Sequence, residues 1–213
     1  MALLMTTMLG QWLATGEYTQ TAARRLAWIF KPVLSALFVV AVVRYEPLRS
    51  SYGRLVLAAL LLSWLGDVLL IPDGARAFRA GIAAFALGHV AYVGAFGVRD
   101  VDLARLGLAV APVLLALFVA ARWLRPHVPA DMKVPVSAYM GIISAMGVAA
   151  AGASRADPLI LVGALLFYVS DLSVARDRFV APSPWNRRWG LPLYYAAQLI
   201  LATSVGEAGG APP

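Results

Sequence analysis

The stretch LLLSWLGDVLL, residues 60–70, places an aspartate, Asp67, inside a long run of apolar residues. The run extends over about residues 54–71, the length that an α-helix needs to cross a bilayer core of about 30 Å. An aspartate near a helix centre costs about 2.5–3.5 kcal/mol on insertion even on a translocon scale, so it indicates a functional site. The sequence therefore predicts a membrane helix that carries a functional acid.

The composition of the whole chain agrees with a membrane protein. Of its 213 residues, 61% are hydrophobic and 14% are charged, and the mean hydropathy is +0.76. Soluble domains contain about 45–50% apolar and about 25% charged residues, and a chain of this size has too little interior to bury the excess. The net charge of +7 comes from arginines in ones and twos at the ends of apolar runs, which is typical of loops near anionic headgroups and not of nucleic-acid binding. Cysteine is absent, which excludes disulfides, thiolate nucleophiles and Cys-ligated metals.

Apolar runs of about 20 residues recur along the chain and are joined by short linkers. We predict an all-α, polytopic membrane helix bundle of about eight transmembrane helices, forming a single domain over residues 1–213. The first helix would cover only about 22 Å and is short for a bilayer. The predicted spans are residues 1–15, 27–43, 54–71, 78–97, 104–121, 134–152, 158–175 and 190–205.

Positive charge is divided unequally between the two sides of this predicted bundle. Of the 18 Lys and Arg residues, 12 fall on one side. That side is expected to face the cytoplasm. The sequence thus predicts an integral protein of a bacterial-type inner (plasma) membrane, with Arg-rich loops in the cytoplasm and both termini outside. It makes no prediction of the oligomeric state. The side with fewer charges carries Arg44, Arg49, Arg54, Arg99, Arg105 and Arg155.

Two further ionisable residues lie inside predicted spans. Asp171 belongs to LLFYVSDL, residues 165–172, and His89 belongs to FALGHVAY, residues 85–92. Asp67 and Asp171 each lie about four residues before the same end of their helices, so both carboxylates are expected at equal depth, toward the cytoplasmic face. Two carboxylates that face one another in a low dielectric cannot both ionise easily, so one is expected to hold a proton. Such a pair would supply one general acid and one general base.

Helical spacing places polar and small residues beside these side chains. Ser63 is expected to share a helix face with Asp67, and Tyr92 is expected to share one with His89. Gly66, next to Asp67, permits a neighbouring helix to approach closely. The predicted site therefore lies between tightly packed helices.

Other interpretations of the embedded residues remain open. The aspartates could make structural hydrogen bonds between helices, or relay protons in a proton-coupled small-molecule or lipid transporter. A zinc hydrolase needs about three His or carboxylate ligands and a water position, which one embedded histidine and two aspartates barely provide, so no metal is predicted. An intramembrane aspartyl protease is disfavoured because Trp64 stands where its Gly-x-Gly-Asp motif has glycine.

Taken together, the embedded motifs resemble those of a known membrane protein family. The segments 63–67, 78–92 and 168–179 resemble the YhhN family, which includes the vertebrate lysoplasmalogenases. The resemblance extends over about residues 28–205, and the family's eight-helix layout matches the predicted count. It implies a hydrolase that cleaves the vinyl ether bond of a lysoplasmalogen to a fatty aldehyde and a glycerophospho-base, without a metal or cofactor.

The resemblance also implies a role for each candidate residue. Protonation of the β-carbon of the vinyl ether forms an oxocarbenium ion, to which water adds before the hemiacetal collapses. Asp171 is expected to donate this proton and Asp67 to stabilise the cation and activate water, although the two roles could be exchanged. Lys31 and Arg178 are expected to hold the substrate phosphate, so the expected partners are a lysophospholipid or ether-lipid substrate and the lipid bilayer. The residues expected to orient or surround the pair are His89, Tyr92, Tyr168, Ser63, Ser170 and Gly66.

Overall fold

The computed structural model describes the backbone of residues 20–209 and the side chains of residues 28–206. Within the described range, the chain forms helices and turns and contains no strand. A π-helical turn, Arg176–Val180, continues the sixth helix, and short 3₁₀ turns lie in two of the other connections. The predicted all-α fold is confirmed. The α-helices within residues 20–209 are α1 (Gln20–Val43), α2 (Ser51–Leu69), α3 (Ala75–Gly97), α4 (Leu103–Leu124), α5 (Lys133–Ala153), α6 (Leu159–Ala175) and α7 (Pro184–Gly209).

Several of these helices can cross a membrane. The apolar part of α1, Trp28–Val43, is shorter than a full span, and Gln198 and neighbouring tyrosines interrupt the apolar run of α7. The predicted span 1–15 lies outside the described residues, and the count of eight and the sides of the termini stay predictions. In the described part of the chain, the helices that are long and apolar enough are Ser51–Leu69, Ala75–Gly97, Leu103–His127, Ala130–Ala153 and Leu159–Val180.

The closest helix packing occurs between α2 and α3 and between α6 and α7. A Cβ added to Gly66 would lie 2.6 Å from the ring of Phe85, and one added to Gly190 would lie 1.8 Å from the Oγ of Ser173. These helix pairs therefore approach at distances that only glycine allows at those two positions. By contrast, α4 exposes most of its surface, including Phe118 at 65%, as expected of a helix that faces lipid.

The helix ends meet in two groups at opposite ends of the bundle. At one end, Asp102 caps α4, and the backbone N–H of Arg105 lowers the pKa of its carboxyl below the usual value. The Asp102 backbone N–H donates to the carbonyl of Gly152 at the end of α5, at 2.9 Å. At the other end, Phe78 in the first turn of α3 packs edge-on against Phe179, with ring centroids 5.8 Å apart. This second end is where α2, α4 and α6 finish.

Candidate active site

A cavity of about 880 Å³ lies at the end of the bundle where α2 and α6 finish. This volume is in the upper part of the range for ligand pockets, about 300–1,000 Å³. Both embedded aspartates, Asp67 and Asp171, line the cavity, and most of its remaining wall is apolar. A mostly apolar cavity with a few polar groups suits an amphiphilic ligand. Polar side chains that also line it include Lys31, Tyr139, Tyr168, Ser170, Asp177, Arg178, Ser183, Asn186 and Tyr194.

Asp67, near the end of α2, is 3% exposed and accepts from side chains of two other helices. The Tyr194 hydroxyl on α7 donates to Oδ2 at 2.7 Å, and the Ser35 hydroxyl on α1 donates to the same oxygen at 2.5 Å. The ammonium group of Lys31, also on α1, lies 3.4 Å from Oδ1. Asp67 therefore ties α1, α2 and α7 together at the wall of the cavity.

Asp171, on α6, has a separate set of partners. The Tyr139 hydroxyl on α5 donates to its Oδ2 at 2.6 Å, and His89 Nε2 on α3 lies 3.3 Å from the same oxygen. The other oxygen, Oδ1, has no hydrogen bond within residues 28–206, and the side chain is 17% exposed. Asp171 thus presents Oδ2 to protein donors, while Oδ1 has no donor among the described residues.

The proton of His89 can be assigned from this network. The Tyr139 hydroxyl gives its one proton to Asp171, so it can only accept from His89 Nε2, which lies 2.9 Å away. The other ring nitrogen, Nδ1, is buried and has no partner in the described part of the chain. The network therefore places a ring hydrogen of His89 on Nε2.

The two carboxylates share the cavity but not their partners. Among the described side chains, no hydrogen bond or ion pair joins Asp67 to Asp171. No group of three or more His, Cys, Asp or Glu residues that could hold a metal ion occurs there either. The acid and base roles stay predictions, and each carboxylate has its own surroundings.

The other predicted site residues lie at different distances from the cavity. Tyr168 and Ser170 line it, and the Tyr168 hydroxyl lies 3.4 Å from a serine hydroxyl of α5. Ser63 and Tyr92 are buried at 1% and 0% exposure and lie outside the cavity wall. Gly66 packs against α3, as described above. The structure therefore places only part of the predicted surrounding shell at the cavity.

Lys31 and Arg178, the two predicted phosphate ligands, differ in what they contact. The guanidinium of Arg178 lies over the Phe78 ring, 4.2 Å from its centroid, and makes no hydrogen bond or ion pair to the described residues. Lys31 instead contacts Asp67, with Nζ 3.4 Å from both Oδ1 and the backbone carbonyl oxygen. Arg178 thus brings a charge to the cavity wall and forms no ion pair with an acidic side chain of the described residues.

The π-helical turn that carries Arg178 is fixed by a polar network. Asp177 accepts from the backbone N–H of Ser183 and from Nδ2 of Asn186, both at 2.9 Å. Arg176 donates to the side-chain oxygen of Asn186, which is 1% exposed. This network joins the end of α6 to the start of α7 and sets the position of Arg178.

Sequence reasoning missed Ser35, Tyr139 and Tyr194, all of which donate to the embedded aspartates. Each lies inside an apolar run, where tyrosine and serine are ordinary residues of helix contacts and interfacial belts. The only sign of these residues in the sequence was that each carries a hydroxyl group. Their partners could not be identified from spacing because they lie on other helices.

Comparison with known proteins identifies the family. The YhhN family profile matches residues 26–205. Lysoplasmalogenase TMEM86B of Sus scrofa is 31% identical over 215 residues, covering 93% of this chain and 88% of that protein. Lysoplasmalogenase TMEM86A of Bos taurus is 36% identical over 161 residues, covering 72% of this chain and 65% of that protein. The lysoplasmalogenase of Mycobacterium tuberculosis is 33% identical over 186 residues, covering 82% of this chain and 68% of that protein.

No solved structure matches the chain significantly. The family profile covers most of the chain, including both embedded aspartates and His89. The protein therefore belongs to the YhhN family.

Proposed function

We propose that this protein is a membrane-embedded lysoplasmalogenase, which hydrolyses the vinyl ether bond of a lysoplasmalogen to a fatty aldehyde and a glycerophospho-base. The relatives described above carry the name lysoplasmalogenase. The observation that supports this chemistry most directly is that Asp67 and Asp171 line one mostly apolar cavity with different partners. When two carboxyl groups carry out acid–base hydrolysis, one must be protonated as the acid and the other charged as the base.

Asp171 is the proposed general acid. Its Oδ2 accepts from Tyr139 and lies near His89 Nε2, which leaves Oδ1 as the oxygen that carries the transferable proton. Among the described residues, no lysine or arginine forms an ion pair with it. Asp171 would pass this proton to the β-carbon of the vinyl ether, and the adjacent carbon bound to oxygen would become an oxocarbenium ion.

Asp67 is the proposed base. It has two hydroxyl donors and the Lys31 ammonium nearby, a setting for a carboxylate that stays charged. That charge would stabilise the oxocarbenium ion, and the carboxylate would take a proton from the water that adds to it, much as paired carboxylates act in glycoside hydrolysis. Collapse of the hemiacetal then returns the hydroxyl proton to Asp171 and passes the Asp67 proton to the departing glycerol oxygen. The sum is one vinyl ether and one water converted to one aldehyde and one alcohol.

Arg178 is the proposed phosphate ligand. Its guanidinium has no acidic partner within residues 28–206, so it can bind two phosphate oxygens at once, and the Phe78 ring holds it at the cavity. The contact of Lys31 with Asp67 favours a role at the carboxylate over the predicted role at the phosphate. Tyr168 and Ser170 add polar groups to the lining.

The test is aldehyde release by purified protein in detergent, with a lysoplasmalogen as substrate. We expect Asp67→Asn and Asp171→Asn each to lower turnover about 100-fold or more, while Asp100→Asn, an exposed acid at the other end of the bundle, keeps wild-type turnover. Folded Asp67→Asn and Asp171→Asn variants with near wild-type rates would refute the mechanism. Gradient-dependent uptake into proteoliposomes without aldehyde would instead support a transporter.

The membrane arrangement belongs to the same proposal. Eight spans in a single domain would place both termini outside and the Arg-rich end in the cytoplasm of a bacterial-type plasma membrane. The cavity, with Arg178 in its wall, lies at that end. A lysoplasmalogen would therefore enter from the cytoplasmic leaflet, with its phosphate near Arg178 and its alkenyl chain toward the two aspartates.

A further inference from the structure

A chain of buried hydrogen bonds extends from Asp67 away from the cavity to α3. The Tyr194 hydroxyl donates to Asp67 Oδ2 at 2.7 Å, and Gln198 Nε2 donates to the Tyr194 hydroxyl at 3.3 Å. The Tyr92 hydroxyl donates to Gln198 Oε1 at 2.7 Å. Tyr92 and Gln198 are 0% exposed and Tyr194 is 5% exposed. Neither Tyr92 nor Gln198 lines the cavity, so neither contacts a ligand there, and this chain is the hydrogen-bonded route from each of them to Asp67.

The direction of each hydrogen bond follows from the donors and acceptors available. A tyrosine hydroxyl has one proton, whereas an amide has a donor side and an acceptor side. Tyr92 has no other hydrogen bond among the described side chains, so its buried proton needs Gln198 Oε1 as acceptor. A reversed amide would leave that proton without a partner, which is costly in a buried site. Tyr92 therefore fixes the amide with Nε2 toward Tyr194.

The fixed amide in turn fixes the Tyr194 proton. Because the Tyr194 oxygen accepts from Gln198, its own proton is available for Asp67 Oδ2. A free amide could rotate and offer Tyr194 its carbonyl oxygen, and the hydroxyl proton could then turn away from Asp67. The chain thus determines whether Asp67 receives this hydrogen bond at all times or only part of the time.

We propose that Tyr92 and Gln198 are positioning residues that act through the Tyr194 hydroxyl to hold its proton on Asp67, and so keep Asp67 in the charged form that the base role requires. This inference rests on the proposed function. Under this proposal, Tyr92 on α3 acts on Asp67 of α2. It does not act on His89 or Asp171 at the other side of the cavity. Lys31 and Ser35 of α1 are the other donors that face Asp67.

A double-mutant cycle on kcat tests this chain, using aldehyde release by wild type, Tyr92→Phe, Tyr194→Phe and the double variant. We expect Tyr92→Phe to lower kcat about fivefold and Tyr194→Phe about tenfold, with KM changed less than about twofold. The double variant should match Tyr194→Phe alone, because Tyr92 has no hydrogen-bonded route to Asp67 once the Tyr194 hydroxyl is gone. Tyr52→Phe is the matched control, since it removes a buried tyrosine hydroxyl that bonds Ser204 at 2.6 Å, remote from the cavity. It should keep wild-type kcat.

Three results would overturn the inference in an active wild type: an unchanged kcat in Tyr92→Phe, an equal loss in Tyr52→Phe, or effects that multiply to about fiftyfold in the double variant. If the Tyr92 hydrogen bond only stabilised the fold, Tyr92→Phe would leave kcat unchanged, or its effect on kcat would multiply with that of Tyr194→Phe in the double variant. Where Tyr92→Phe does not fold, Gln198→Met removes the same connection from the α7 side, and it carries the same expectations. A folded wild type that releases no aldehyde would refute the proposed function itself, and the inference with it.

Discussion

Asp171 depends on the Tyr139 hydroxyl for the orientation of its carboxyl group. We expect Tyr139→Phe to lower kcat for aldehyde release about tenfold, because Oδ2 loses its shortest hydrogen bond and His89 Nε2 loses one of its two partners. Tyr52→Phe again provides the comparison, since it loses a buried hydroxyl at the other end of the bundle. Wild-type kcat in a folded Tyr139→Phe variant would contradict this role.

Lys31 is the cation beside Asp67, and its removal should destabilise the protein. We expect Lys31→Met to lower the free energy of unfolding by about 1.5–3 kcal/mol, because the 3%-exposed carboxylate loses its charged neighbour. For a chain of this length, each kcal/mol corresponds to about 2–4 °C in the unfolding midpoint. The measurement is thermal unfolding in detergent.

The double variant Lys31→Met/Asp67→Asn separates charge pairing from packing. Neutralising Asp67 removes the unpaired charge, so the double variant should unfold at a higher temperature than Lys31→Met alone. If the loss of unfolding free energy in the double variant equals the sum of the losses in the two single variants, Lys31 contributes by packing and not by pairing with Asp67.

For individual residues, the sequence predicts which charged side chains form the site better than it predicts which side chains contact them. Asp67, Asp171 and His89 could be identified because ionisable side chains are rare in apolar runs. Tyr139 and Tyr194 could not, because a tyrosine in such a run is ordinary and its hydroxyl costs little to place. Their contacts with Asp171 and Asp67 join positions 32 and 127 residues apart, and only helix packing sets these.

The α2–α3 pair positions Asp67 through the glycine that precedes it. We expect Gly66→Ala to lower the free energy of unfolding by about 1–3 kcal/mol, because the new Cβ would lie 2.6 Å from the ring of Phe85 and must push α3 away. Aldehyde release should fall as well, since Asp67 is the next residue. The matched control is Gly141→Ala on α5, where nothing lies within 4 Å of the new Cβ, and we expect a change below about 1 kcal/mol. Equal unfolding midpoints for the two variants would contradict the close contact.

Helix positions were predictable where apolar runs are clear and uninterrupted. The predicted span 158–175 became α6 at Leu159–Ala175, and the predicted span 54–71 overlaps α2 at Ser51–Leu69. The π-helical turn Arg176–Val180 was not predicted, because hydropathy reports which residues are apolar and not which carbonyl each N–H binds. The helix that carries Asp171 was thus foreseen, and the turn that carries Arg178 was not.

In the whole molecule, the cavity with the two aspartates lies at the same end of the bundle as most of the positive charge of the predicted arrangement. The ends of α2 and α6 bring the aspartates to the cavity, and the connection from α6 to α7 brings Arg178 to its wall. The same end holds the larger share of arginine and lysine in the predicted arrangement. By the positive-inside rule, we expect this end to face the cytoplasm and the substrate to enter from the cytoplasmic leaflet.

Single cysteines can establish which side of the membrane the cavity faces, because the chain contains none of its own. Ala75→Cys, at the start of α3, lies at the cavity end, and Asp100→Cys follows the end of α3 at the opposite end; both positions are exposed. In spheroplasts of an expressing bacterium, we expect a membrane-impermeant maleimide to label Asp100→Cys at once and Ala75→Cys only after permeabilisation. The reverse pattern would place the cavity outside and move the proposed substrate to the outer leaflet. Labelling of both cysteines in intact spheroplasts would mean that α3, Ala75–Gly97, does not cross the membrane, which would contradict the proposed topology.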